Sequence, residues 1–151
     1  MLEDSVARLL GQGVALVVGT ASERGDPEIC RAWGPAWNAE HGELSVLVPL
    51  PAGESSLDNL GQAPAVAFTF SLPTDYHAYQ IKGRCAAIRK PGAADWRRAR
   101  QHFDAFLAEA ARVGLEPGTF APWFSGEGQL VVAAIDAAFC QAPGTRAGLQ
   151  L

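Results

Sequence analysis

Apolar residues along this chain follow two rhythms. From Val14 to Phe70 they alternate with a period near two, in runs broken by Gly, Pro and Asp turns. The run Val14 to Ser22 (VALVVGTAS) predicts a first strand. The runs 28–38 (EICRAWGPAWN) and 44–49 (LSVLVP) predict a second and a third. The turns SERGDP and NAEHGE are short, so these three strands are expected to form an antiparallel meander. Gly34-Pro35 interrupts the second run, which predicts a bulge or an edge position there. Before them, Leu2, Val6, Leu9 and Leu10 recur at helical spacing and predict a short first helix ended by Gly11 and Gly13.

After the third run, GESSLDNL predicts a turn and a short helix. Ser55 or Ser56 is its expected cap, and it should run to about Leu60. PAVAFTF and HAYQIKGRCAAIRK predict strands four and five, the latter stopped by Pro91-Gly92. The rhythm then changes to 3.6. Trp96, Ala99, Phe103, Phe106, Leu107, Ala110 and Val113 fall on one face of a long helix over 93–113, with Gly114 as its C-terminal signal. PGTFAPWF predicts a further short helix, QLVVAAIDAAF a sixth strand, and the tail is irregular. Turns this short exclude parallel crossovers among strands one to three. The expected fold is therefore mainly β (α+β): about six mostly antiparallel strands in a small barrel with flanking helices, built as one domain over 1–151.

Composition narrows the function classes. Hydrophobic residues make up 48% and charged residues 19% of the 151, an ordinary globular balance. A net charge of -4 removes the electrostatic basis for nucleic-acid binding, and the cluster Arg97, Arg98, Arg100 reads as a solvated helix face. No apolar run reaches the roughly 20 residues of a membrane span. Three cysteines without CxxC spacing, and an acidic N-terminus, point to a reducing cytoplasmic setting without a disulfide framework or zinc site. The three histidines are isolated, and no nucleophile-base pair or paired carboxylates stand out, so no catalytic residue is assigned and enzyme activity stays open.

The segments VALVVGTASERGDPEICRAWGPAW, NLGQAPAVAFTF and SLPTDYHAYQIKGR, in this order, resemble the FMN-binding split-barrel family related to pyridoxamine 5'-phosphate oxidase. The tail QAPGTRAG is similar to the QTPGPRAG ending of some short bacterial members. The resemblance implies a homodimer with two FMN sites at the interface and a small-molecule substrate. It implies that Arg31 contacts the flavin phosphate region and that the backbone at Ala32 and Trp33 lies along the ring. It also implies that Gln80 or Lys82 approaches the ring, and that the turn at Glu54, Ser55 and Ser56 grips the phosphate.

That turn departs from the family pattern. Typical members read approximately SRKVRNL, and the heme-handling branch HTRNL, where this chain reads ESSLDNL. Ser56 stands for the usual Lys and Glu54 for the usual Ser. A carboxylate about 6 Å from a phosphate repels each unit charge by about 3 kcal/mol at an effective dielectric near 20. A helix N-terminus returns only about 0.3–2 kcal/mol, so Arg31, Lys82 and Arg84 would carry the compensation. Trp33 and Trp37 are equally explained as core or interface residues, Ser55 as a plain cap, and Gln80, Lys82 and Arg84 as a solvent-facing strand edge. Three expectations stand: an FMN-dependent oxidoreductase, a non-catalytic small-ligand binding or sensing protein that lost FMN, and a heme or deazaflavin binder on the same fold.

Overall fold

The computed structural model describes residues 2–151. Helix α1 spans Asp4–Leu10 and is followed by strands β1 (Ala15–Ala21), β2 (Pro27–Arg31), β3 (Trp33–Asn38) and β4 (Glu43–Pro49). Helix α2 (Glu54–Gln62), β5 (Ala65–Ser71) and β6 (Ala78–Arg89) come next. The long helix α3 (Ala93–Arg112), a 3-10 helix (Pro117–Trp123) and β7 (Gly128–Cys140) complete the chain.

All seven strands join one antiparallel sheet in the order β2-β1-β5-β6-β7-β4-β3. The expected six become seven because the second predicted strand divides at Ala32. Its first half pairs with β1 and its second half with β4. The expected meander is therefore two separate hairpins. β2 and β3 stand at opposite ends of the sheet, yet one residue separates them in sequence. A sheet whose two ends are joined by a single residue has to curl into a barrel. β6 and β7, 12 and 13 residues long, run through both halves, and two register shifts let them bend between β5 on one side and β4 on the other.

The alternation seen in sequence sorts side chains between two cores. Leu16, Val18, Leu44, Val46, Phe68, Phe70 and Ile81 fill the barrel, and Val6, Leu9 and Leu10 of α1 close onto them. The second core lies outside the barrel, where Ala99, Phe103, Phe106 and Ala110 of α3 pack on Trp33, Leu47 and Leu130, with Phe120 closing from the 3-10 helix. Trp33 meets Phe103 edge-on at 4.8 Å between ring centroids. The predicted apolar stripe of α3 holds except at its end: Val113 is the C-cap and is exposed. α2 also starts earlier than expected. Gly53 is its N-cap and no serine side chain caps it, because the chain there lies hard against Val48 and Pro49, with no room for a side chain at 53.

The split itself is fastened by α3. Gly34 has φ +62, and a Cβ there would lie 2.7 Å from the Ala99 backbone, so only glycine fits. Its N–H donates to Nδ1 of the buried His102 at 3.1 Å, and its carbonyl accepts from Nε of Arg98 at 3.0 Å. An Nδ1 that accepts leaves the proton on Nε2, which donates to the Val14 carbonyl at 3.0 Å. Arg98 also pairs with Asp95 at 2.8 Å, so this member of the arginine cluster is a tie to the barrel and not a solvated face.

Burial lowers the His102 pKa to about 4, against a partial rise from its bond to Val14. The folded state thus resists a proton that the unfolded chain accepts below the ordinary imidazole value of 6.5. The stabilisation is complete above that value and is lost as pH falls towards 4. It amounts to about 3 kcal/mol, from the conversion of roughly 1.36 kcal/mol per pKa unit. Urea unfolding from pH 7 to pH 4 should show this loss, and His102→Gln, already weaker at pH 7, should lack that component of the slope.

Candidate functional site

In an antiparallel sheet, residues opposite each other point to the same face. The register therefore builds the outer face of β2-β1-β5-β6-β7 row by row. Arg31, Val17, Thr69, Gln80 and Phe139 form one row, and Ile29, Gly19, Ala67, Lys82 and Ala137 the next. Pro27, Ala21, Ala65, Arg84 and Ala134 continue the face as a third row beyond it. The middle of this face is a floor of small residues: Gly19, Ala21, Ala65 and Ala67. It lies in an open groove of about 460 Å³ whose walls include Pro27, Glu28, Ile29, Lys82, Arg84 and Asp136. A Cβ on Gly19 would find only Ala67 atoms, at 3.8 and 3.9 Å, so a side chain there would stand in the groove without clashing with the fold.

Cations paired with aromatic rings stand beside the floor. The Arg31 guanidinium lies 4.6 Å from the ring centre of Trp123, and the Lys82 ammonium 4.9 Å from that of Phe139. Burial lowers the Arg31 pKa from its ordinary value. Gln80 is oriented by its amide, which donates to Thr69 Oγ1 at 3.0 Å. Arg31, Gln80 and Lys82, drawn from strands far apart in sequence, thus share one face.

Of the expected site residues Lys82 lines the groove itself, Arg31 and Gln80 stand in the neighbouring row of the same face, and Ala32, Trp33, Ser55 and Ser56 are not part of its lining. Ala32 is fully buried at the split, and its N–H donates to the Leu16 carbonyl at 3.4 Å. The Trp33 ring is locked in the second core, where its indole N–H donates to the Trp123 carbonyl at 3.1 Å. Glu54 and Ser55 are exposed on the first turn of α2, and neither lines the groove. Ser56 points inward. It is 1% exposed, and its hydroxyl has no hydrogen-bond partner, with the Cys30 thiol beside it but not in bonding geometry. Burial pushes that thiol's pKa up, so Cys30 is an inert core residue. The start of α2 thus packs against β2 beside Cys30, next in sequence to Arg31, with its inner serine facing the barrel.

Two features escaped sequence reasoning. His102 carried no signal because its partners are the backbone of Gly34 and Val14. Asp136 did so because a β-bulge sets its place. Among the described residues no helix is long and apolar enough to cross a membrane, and no cluster of three metal-ligating side chains occurs.

No protein-family model matches this sequence, and no curated protein sequence does. Solved structures do match in shape. An F420 reductase is similar over 91% of this chain and 98% of its own, with TM-score 0.63 and 19% identity. An FMN-binding protein from Syntrophomonas wolfei matches over 89% and 82%, with TM-score 0.56 and 12% identity. The heme storage protein HutZ from Vibrio cholerae matches over 92% and 94%, with TM-score 0.53 and 15% identity. At such identities the likeness establishes the fold alone: this chain has the split-barrel fold that these structures share.

The buried place of Ser56 has a direct consequence. Ser56→Lys should lower stability by about 3 kcal/mol or more, since it puts an ammonium beside apolar core. Ser55→Lys, on the exposed side, should change it by less than about 0.5 kcal/mol. Chemical denaturation of the two variants checks the contrast.

Proposed function

We propose that this chain binds a planar aromatic cofactor, FMN foremost, on the outer face of β2-β1-β5-β6-β7, as an oxidoreductase related to pyridoxamine 5'-phosphate oxidase. One observation carries the reading: Arg31, Gln80 and Lys82 share a face whose floor is made of Gly19 and alanines. A flat ring needs such a floor, and its anionic tail needs cations at the edge. Here the cations stand on the sheet and not at the α2 turn, where Glu54 is exposed and Ser56 is turned inward.

A bound flavin supplies the electron transfer. The chain's own residues do the rest. Gly19 and Ala67 let the ring approach the backbone, Gln80 offers an amide held by Thr69, and Arg31 and Lys82 offset negative charge. A second copy of the chain is part of this reading. The face leaves Ile29 68% exposed at its edge, an apolar side chain that a two-fold contact would cover. Such a contact would exclude water from the groove.

Heme is the weaker alternative, since the rows of this face contain no His, Cys, Met or Tyr to ligate iron. A deazaflavin would use the same floor as FMN. A binding module without flavin is favoured by the Glu54 and Ser56 departures and is the outcome if no flavin binds.

The absorption spectrum of the purified protein and a flavin fluorescence titration test the proposal. Wild type should bind FMN and scatter light with twice the 15.9 kDa chain mass. Gly19→Val should abolish binding while leaving the fold intact, and Arg31→Ala should weaken it about 10-fold or more, for the loss of a hydrogen bond to a charged group. Tight binding that is indifferent to Gly19→Val would place the cofactor elsewhere.

A further inference from the structure

We propose that Asp136, between Lys82 and Arg84, reads the N–H of a cyclic imide, the O=C–NH–C=O edge found on the pyrimidine side of a flavin ring. This rests on the flavin reading above and deepens it. The placement comes from the β6–β7 register. Lys82 stands opposite Ala137, Gly83 opposite Ile135 and Arg84 opposite Ala134, with a register shift between Lys82 and Gly83. Asp136 is the extra residue of that bulge. The bulge puts Asp136 on the outer face, exposed and lining the groove, in the interval between the Lys82 and Arg84 rows.

The three groups are left free. Among the described residues no hydrogen bond or ion pair engages the Asp136, Lys82 or Arg84 side chains, although charges of opposite sign are neighbours there. Lys82 rests on the Phe139 ring, a contact that uses none of its donors. A carboxylate only accepts, and an ammonium or guanidinium only donates. The groove edge therefore reads donor, acceptor, donor. Its complement is acceptor, donor, acceptor, which is the hydrogen-bonding pattern of an imide. The other groove carboxylate does not compete for this role. Glu28 is on β2, four strand spacings from β7, about 19 Å across the sheet.

Riboflavin and 3-methylriboflavin are the probes. They lack phosphate, and they differ only at the imide nitrogen, which carries hydrogen in the first and a methyl group in the second. Wild type should bind riboflavin about 10- to 100-fold more tightly than the methylated form, the effect of losing one hydrogen bond to a charged acceptor. Asp136→Ala should weaken riboflavin by a similar factor and erase the discrimination. Asp136 is exposed, so a thermal melt of the variant should match wild type. If wild type binds both flavins equally, or Asp136→Ala still discriminates, the assignment of Asp136 is overturned and the flavin site stands. If wild type binds FMN but neither of these, the imide edge adds no measurable affinity and the assignment of Asp136 is overturned; if it binds no flavin at all, FMN included, the flavin reading falls and this inference with it.

Discussion

The short link through Ala32 and Gly34 is the constraint on which the rest depends. It joins the two ends of a seven-stranded sheet, so the sheet has no open alternative. Such a junction needs a backbone that can reverse direction in little space, and it exposes polar groups of the strand it interrupts. Gly34 provides the first through its positive φ. His102 and Arg98 answer the second, by bonding its N–H and carbonyl. A buried, unpaired peptide group costs about 1–3 kcal/mol, so these two side chains of α3 are structural parts of the barrel. The neutral imidazole is suited to the task, since it accepts on one side and donates on the other.

Fastening α3 at the split also decides which surface stays bare. Ala99, Phe103, Phe106 and Ala110 cover the β3-β4 side and form a second core around Trp33 and Leu47. The outer face of β2-β1-β5-β6-β7 lies beyond the reach of α3, which packs on β3 and β4. It keeps a floor of Gly19 and alanines, residues too small to need covering and well suited to admit a flat ring. Trp123 links the two regions: its carbonyl accepts from Trp33 within the core, and its ring supports Arg31 at the edge of the open face.

The basic residues of this region lie on the sheet and not on α2. Helix α2 has no basic residue, its first turn carries Glu54, and Ser56 looks into the barrel. The cations lie on β2 and β6 instead. A cation over an aromatic ring is held in place without giving up its hydrogen-bond donors, so Arg31 and Lys82 stay competent to meet a ligand.

Much of this was legible in the sequence, because periodicity reports which face of an element is buried. The barrel strands, the long helix and the stripe from Trp96 to Ala110 follow from local spacing. So does the shared strand face of Gln80 and Lys82, two residues apart. Other features depend on partners distant in the chain, and no local pattern encodes them. The second strand's division at Ala32 reflects which neighbours each half pairs with. The inward turn of Ser56 follows from Gly53 packing on Val48, which moves the helix start. His102 became a structural tie only when α3 met Gly34 and Val14. Arg31 came beside Gln80 through β1 and β5, and Asp136 reached the groove through a bulge. Sequence fixes the alternation within each strand; register between strands is a property of the closed sheet, and that register brought these groups together.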